Sequence, residues 1–255
     1  MTSSNEHAVS VSGLSFAYGS HTTSPILHDI SFSVPQGSIT AIVGPSGAGK
    51  STLLRLIAGQ MQPAAGRVQL RNDSSTSVAA LYHPQDAMLL PWLTIRDNAE
   101  IGLRLSRLPG TMATIEILRH LALADIERRH PAQLSGGQIE RTALARTILT
   151  PAAAYLLDEP LAGTDYVHRI KIEDFLVDFI RERSSSALLV THDLPQAVAL
   201  GDRLLVLLPS GEKSNLVEIE IPASVRSLSP RERRGSTELG PVIDQVLQVI
   251  ESGKC

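Results

Sequence analysis

The segment Gly44-Pro45-Ser46-Gly47-Ala48-Gly49-Lys50-Ser51 constrains this chain more than any other, because it fits the pattern G-x-x-x-x-G-K-[ST]. An apolar, strand-like run (ITAIV) leads into it, and LLRLIAG follows with helical spacing and a glycine stop at Gly59. That context is the one in which glycines let backbone N–H groups close around phosphate oxygens. A helix beginning near Lys50 adds its partial positive charge. Lys50 can reach the outer phosphates, and the Ser51 hydroxyl can ligate magnesium. The segment therefore predicts a nucleoside triphosphate site, with ATP and Mg2+ as the expected ligands.

The rest of the chain supplies a sheet for that loop. VSVSGLSFAY and ILHDISFSV open it as strand-like pieces, and VAALYH is a further strand. The polar stretch Arg71 to Val78 reads as a hairpin loop. From Asp86 to about Thr150 helical patterns dominate: TIRDNAEIGLRL, ATIEILRHLAL and QIERTALARTIL. Two apolar runs follow, AAAYLLD and SALLVTHD, with the amphipathic HRIKIEDFLVDFIRER between them. LLVLLP, a polar stretch with proline, and GPVIDQVLQVIES as a terminal helix complete the chain. Buried strands separated by helices predict an α/β fold with a mostly parallel sheet.

Composition narrows the function. Of 255 residues 43% are hydrophobic, enough for a sizeable core, and a net charge of -3 asks for no nucleic-acid partner. The single cysteine, Cys255, allows no disulfide framework within one chain, which fits a reducing compartment. The first residues lack the basic and apolar regions of a signal peptide. No run of roughly 18 apolar residues is present, so a membrane process would need a membrane-embedded partner.

A second acidic element stands at Tyr155-Leu156-Leu157-Asp158-Glu159. Asp158, at the end of an apolar run, can hold magnesium through water. Glu159 beside it can polarise an attacking water if it lies within hydrogen-bond reach. A third element, Leu134-Ser135-Gly136-Gly137-Gln138, stands directly before a helix and offers a second anion site at that helix N-terminus.

LSGGQ, with the phosphate loop upstream and LLDEP downstream, resembles the ATP-binding cassette (ABC) ATPases in order and spacing. The resemblance implies a P-loop NTPase (RecA-like) core with an N-terminal antiparallel β-subdomain and an inserted helical subdomain. The single domain would divide into an ATP-binding core (1–85 and 151–210), a helical signature subdomain (86–150) and a short C-terminal tail (211–255). It also implies roles by position. Tyr18 would stack on adenine. Thr52 would extend the phosphate loop. Gln85 would contact magnesium and water. His192, in Val-Thr-His-Asp, would contact the γ-phosphate. Asp165 would lie at a dimer interface. Ser135, Gly136, Gly137 and Gln138 of one subunit would close on the ATP held by another. Glu159, His192 and Gln85 form the expected catalytic set, and Ser51, Gln85 and Asp158 the expected metal set.

Several positions depart from the family pattern. Pro84 precedes Gln85 where an aromatic is common. The segment before Asp165 reads Ala-Gly163-Thr164. Gln196 replaces a common acidic residue, and Ile139-Glu140 follow the signature where glutamines are common. Met88-Leu-Leu-Pro-Trp92, then T-x-x-DN ending at Asn98, looks like importer ATPases of the nitrate, sulfonate and taurine type, as does the C-terminal stretch. That branch implies a homodimer, or a pair with a related ABC ATPase. It further implies integral membrane permease subunits, an indirect link to a solute-binding protein, and a peripheral place on the cytoplasmic face of the inner membrane. The exposed apolar LLPW segment suits docking of a partner helix. The alternatives are an ATPase of another ABC branch, a soluble non-transport ABC ATPase, and a small-molecule kinase sharing only the phosphate loop.

Overall fold

The computed structural model describes residues 7–19, 25–71, 78–106, 112–209 and 215–253. Residues 72–77, in the expected hairpin loop, and Cys255 lie outside them. A three-stranded antiparallel sheet of order β2-β1-β4 is formed by β1 (His7–Phe16), β2 (Leu27–Pro35) and β4 (Ala65–Leu70). A six-stranded sheet has the order β5-β6-β7-β3-β8-β9. Its members are β3 (Ile39–Val43), β5 (Val78–His83), β6 (Ala152–Asp158), β7 (Ser186–Val190), β8 (Arg203–Leu208) and β9 (Asn215–Ile219). Every pairing in it is parallel except β8 with β9. β3 and β7 are buried at every residue, which explains their continuous apolar runs: helices or the smaller sheet cover both faces.

Helix α1 (Lys50–Ile57) starts directly after the phosphate loop. Its Leu53, Leu54 and Ile57 pack with Val9 and Leu14 of the small sheet and Ile42 and Leu156 of the large one. The helical block holds α2 (Ile95–Leu105), α3 (Met112–His120) and α4 (Gly136–Leu149), and α5 (Tyr166–Glu182) follows β6. Among the described residues this block has no core of its own. Ile95, Leu118 and Leu144 share one buried cluster with Tyr155 of β6 and Leu176 of α5. A third cluster joins α6 (Leu194–Leu200) and α9 (Leu239–Ser252) to β8 through Val198, Val206, Val242 and Val246.

Three details differ from the sequence expectation. The Arg71–Val78 connection is not a hairpin, because β4 pairs with β1 in one sheet and β5 with β6 in the other. Strand β4 escaped notice because four of the six residues of AGRVQL are exposed and two residues are too small to show alternation. The polar stretch after β8 contains β9, α7 (Ala223–Arg226) and α8 (Pro230–Gly235). So the segment expected as a tail supplies a sheet strand and a packed face. Among the described residues no helix is long and apolar enough to cross a membrane.

Candidate functional site

The loop leaves the C-terminal end of central strand β3, where ligands gather in open α/β sheets. Gly44 is required there: a Cβ would sit 2.1 Å from the Leu207 carbonyl oxygen of β8. Lys50 folds back over the loop, its Nζ donating to the carbonyls of Gly44 (2.8 Å) and Pro45 (2.9 Å). Burial lowers the pKa of this ammonium, and the nearby Glu159 and Asp158 carboxylates oppose the shift. Ser46 and Gly47 are exposed, and Ala48 is buried in the core beneath them.

Ser51 Oγ donates to Asp158 Oδ1 at 3.1 Å, bridging α1 to the end of β6. Tyr82 of β5 donates its hydroxyl to Asp158 Oδ2 at 3.0 Å. Asp158 is 1% exposed, so both oxygens are held in low-dielectric surroundings. A hydroxyl and a carboxylate side by side are hard oxygen donors of the kind magnesium takes. Tyr82 has no motif of its own. Its only signal in the sequence was its place in VAALYH, read there simply as a strand.

Tyr18 Oη lies 3.1 Å from Thr52 Oγ1, and its ring stands edge-on to Phe16 at 5.0 Å. The ring is 46% exposed beside the start of α1, open to a planar ligand.

Glu159 and His192 meet although 33 residues apart, with His192 Nδ1 2.5 Å from Glu159 Oε2. They follow β6 and β7, which are neighbours in the sheet, so Glu159, one residue past its strand, meets His192, two residues past the other. Glu159 has φ 50, the left-handed region, while its N–H is held by Val190 O at 2.9 Å. A glutamate there costs about 1–3 kcal/mol, and such strain concentrates at functional sites. The arrangement can orient a water beside the loop and hold the carboxylate that would take its proton.

Ser135 caps α4: its Oγ accepts from Gln138 N (3.3 Å), and Gln138 Oε1 accepts from Ser135 N (2.9 Å). Capping and anion binding are compatible, since Ser135 and Gly136 at the start of the helix are exposed. Among the described residues no hydrogen bond joins Ser135 to Gln138 with the phosphate loop. Gly137 is required by close approach, because a Cβ would lie 2.7 Å from Gly163 O.

Two departures from the family pattern fit each other at this contact. Glu140 Oε2 accepts from Gly163 N at 2.6 Å, and a Cβ at 163 would meet the Glu140 carboxylate at 2.5 Å. Asp165 caps α5 through His168 N (3.2 Å), with His168 Nδ1 2.7 Å from its other oxygen. Arg169 then ties this loop to the histidine turn, donating to Thr164 O (3.1 Å) and Asp193 Oδ2 (3.0 Å).

Gln85 is exposed, and its side chain makes no hydrogen bond among the described residues. The chain after it is held by α4, where Arg146 donates to Ala87 O (2.7 Å) and Met88 O (2.9 Å). Met88 (73% exposed) and Trp92 (70%) present the expected apolar surface. Asn98, fully buried, shapes it by donating to the carbonyls of Leu90, Leu93 and Thr94 and accepting from Leu90 N. Sequence patterns missed Glu140, Arg146 and Arg169 as organisers, since Glu140 and Arg146 act on backbone atoms of a distant loop and Arg169 reaches the side chain of Asp193, 24 residues away.

The profile of the ABC transporter family matches residues 27–162. The aliphatic sulfonates import ATP-binding protein SsuB 1 of Burkholderia lata is 37% identical over 98% of this chain and 74% of its own length. The protein of the same name from Paracoccus denitrificans is 42% identical over 78% of this chain and 79% of its own. The dimeric structure of MJ0796, a bacterial ABC transporter cassette, superposes with a TM-score of 0.72 at 25% identity, covering 84% of this chain and 100% of that one. The post-hydrolysis state of that cassette, bound to ADP and Pi, gives 0.71.

Proposed function

We propose, for a chain that belongs to the ABC transporter family and is an ATP-hydrolysing importer subunit, that its solute is an organic sulfonate or a similar small anion. The kinase and soluble non-transport readings fall away, because full-length relatives are import proteins. Similarity over nearly the whole chain to sulfonate import ATP-binding proteins supports the solute, as does the LLPW segment.

One observation carries the catalytic reading: the Ser51–Asp158 contact at 3.1 Å stands beside the Glu159–His192 contact at 2.5 Å. Lys50 would exchange the Gly44 and Pro45 carbonyls for the outer phosphates. The loop from Gly44 to Ser51, continued by Thr52, would wrap the phosphates with N–H groups. Tyr18 would stack on the adenine. Ser51 and Asp158, with Gln85, would hold Mg2+, which supplies charge neutralisation across the β- and γ-phosphates. Glu159 would orient and deprotonate the attacking water, and His192 would hold both that carboxylate and the γ-phosphate. Ser135, Gly136, Gly137 and Gln138 would complete the site on a second subunit, either another copy or a related ATPase. Asp165 would lie between the two.

The surface around Met88 and Trp92 would receive a helix of a membrane permease, with a solute-binding protein acting through that permease. The chain would then sit peripherally on the cytoplasmic face of the inner membrane. Residues 1–255 would act as one ABC ATPase domain, with 1–85 and 151–210 as nucleotide core, 86–150 as signature subdomain and 211–255 as a C-terminal segment.

Glu159→Gln tests the catalytic assignment. Turnover should fall at least ~100-fold, the low end for losing a general base. The variant should elute as a dimer on sizing with ATP and Mg2+, and near-normal turnover would overturn the assignment. For the solute, the chain reconstituted with its permease and binding protein should show ATPase stimulation by alkanesulfonates. Stimulation by another solute class alone would refute the branch.

A further inference from the structure

A series of buried polar side chains links the C-terminal segment to the turn that carries His192. Arg234 of α8 forms a fork on Glu173 of α5: Nη2 lies 2.7 Å from Oε2 and 2.8 Å from Oε1, and Nε lies 3.0 Å from Oε2. Glu173 is 0% exposed. Its Oε1 accepts from Gln196 Nε2 at 3.1 Å. Gln196 Oε1 in turn accepts from Thr191 Oγ1 at 2.6 Å, and Thr191 Oγ1 accepts from Asp193 N at 3.1 Å.

The donors in this series have only one consistent orientation. An ionised Glu173 only accepts, so Gln196 must turn its NH2 toward it. That leaves the amide oxygen for Thr191, whose single hydroxyl proton is thereby committed. The remaining lone pair of Thr191 takes the Asp193 N–H. The departure at Gln196 now has a physical reason: an acidic residue would set a second carboxylate against buried Glu173. Burial pushes the Glu173 carboxyl pKa up, and Arg234 opposes that shift.

His192 lies between Thr191 and Asp193. Its side chain is 70% exposed, and Glu159 is its one hydrogen-bonding partner among the described residues. With so little packing, the aim of the ring is set by Glu159 and by its own backbone, and that backbone is gripped on both sides. Thr191 is held from Arg234. Asp193 is held by Gln196 N (2.9 Å) and Arg169 (3.0 Å).

We propose that Arg234, Glu173, Gln196 and Thr191 are positioning residues for His192, so that the C-terminal segment around α8 sets the rate of ATP hydrolysis. Buried ionic groups of this kind serve geometry better than stability. The inference rests on the γ-phosphate role proposed above for His192.

The test measures phosphate release by the full-length chain with ATP and Mg2+. Thr191→Val keeps the shape and removes both hydroxyl bonds. It should lower kcat about tenfold with KM for ATP unchanged, less than the ~100-fold that a 1 Å misplacement can cost. Thr191→Ser keeps the hydroxyl and should return kcat to within about twofold of the wild type. Arg234→Gln leaves Glu173 buried without its cation and can destabilise the fold. It is therefore paired with Glu173→Gln and assayed well below the melting temperature. That double variant should reproduce the kcat loss, and adding Thr191→Val to it should cost nothing more. His192→Ala is the control. Slow His192→Ala beside a wild-type-like Thr191→Val overturns the network alone. Losses that multiply between Thr191→Val and the Arg234 pair overturn the C-terminal link. Wild-type turnover in His192→Ala overturns the role of His192 and the network with it.

Discussion

His83 closes β5 two residues before Gln85 and is 3% exposed. Its Nδ1 lies 2.9 Å from Thr147 Oγ1 in α4. The Thr147 hydroxyl donates its one proton to Ala143 O at 3.1 Å, so the ring must donate to Thr147, and the neutral form carries its proton on Nδ1. Burial pushes the ring pKa from 6.5 down to about 4, with the Arg146 charge adding to the effect. The sign follows from linkage. The unfolded chain takes up this proton near pH 6.5, the folded chain only near 4. Stability is therefore present above pH 6.5 and is lost as pH falls through that window, levelling below about 4. At about 1.4 kcal/mol per pH unit the whole loss is about 3 kcal/mol, of which about 2 kcal/mol is gone by pH 5. That is a large share of a typical domain stability of about 5–15 kcal/mol. His83→Asn keeps an N–H for Thr147 but does not titrate. Urea unfolding followed by circular dichroism at pH 7 and pH 5 measures the effect. The wild type should lose about 2 kcal/mol more than the variant between those values. Equal losses in both proteins would refute the reasoning, whatever their stabilities at pH 7.

Other consequences can be checked more simply. Lys50→Ala removes the ammonium that now caps the loop carbonyls, and ATP affinity measured by calorimetry should fall about 100-fold or more, the worth of a strong charge-assisted contact. Gly137→Ala drives a methyl against the Gly163 carbonyl, 2.7 Å from the new Cβ, and should depress ATPase turnover while leaving nucleotide affinity unchanged, because among the described residues no hydrogen bond joins Gly137 to the subunit's own phosphate loop. Asn98→Ala removes the side-chain partner of four backbone groups behind the Trp92 surface, of which Leu90 O and Thr94 O keep backbone donors while Leu90 N and Leu93 O are stranded, and should cost about 2–4 kcal/mol, read as a fall in melting temperature.

The motifs were legible because each packs its chemistry into a few consecutive residues next to a strand end. The Gly44–Ser51 loop, Asp158-Glu159 and the 134–138 signature needed only their own spacing and the apolar runs beside them. The helices from Lys50 to Ile57 and from Gly136 to Leu149 were visible for the same reason. The contacts between motifs were hidden. Glu159 meets His192 only because β6 lies beside β7, and Tyr82 reaches Asp158 across 76 residues because β5 lies beside β6. Strand β4 and the C-terminal elements were obscured by exposed, polar residues whose partners lie far along the chain.

The same division explains the departures from the family pattern. By itself the sequence determined a phosphate-binding α/β chain, its acidic residues and its signature, because residue type and local backbone geometry suffice for those. It displayed Glu140, Gly163 and Gln196 only as oddities. The tertiary structure made Glu140 and Gly163 a fitted pair and made Gln196 the link between Glu173 and Thr191. Hydrogen-bond direction, close backbone approach and the cost of a buried charge are properties of juxtaposed atoms, and the packing of strands and helices decides which atoms those are.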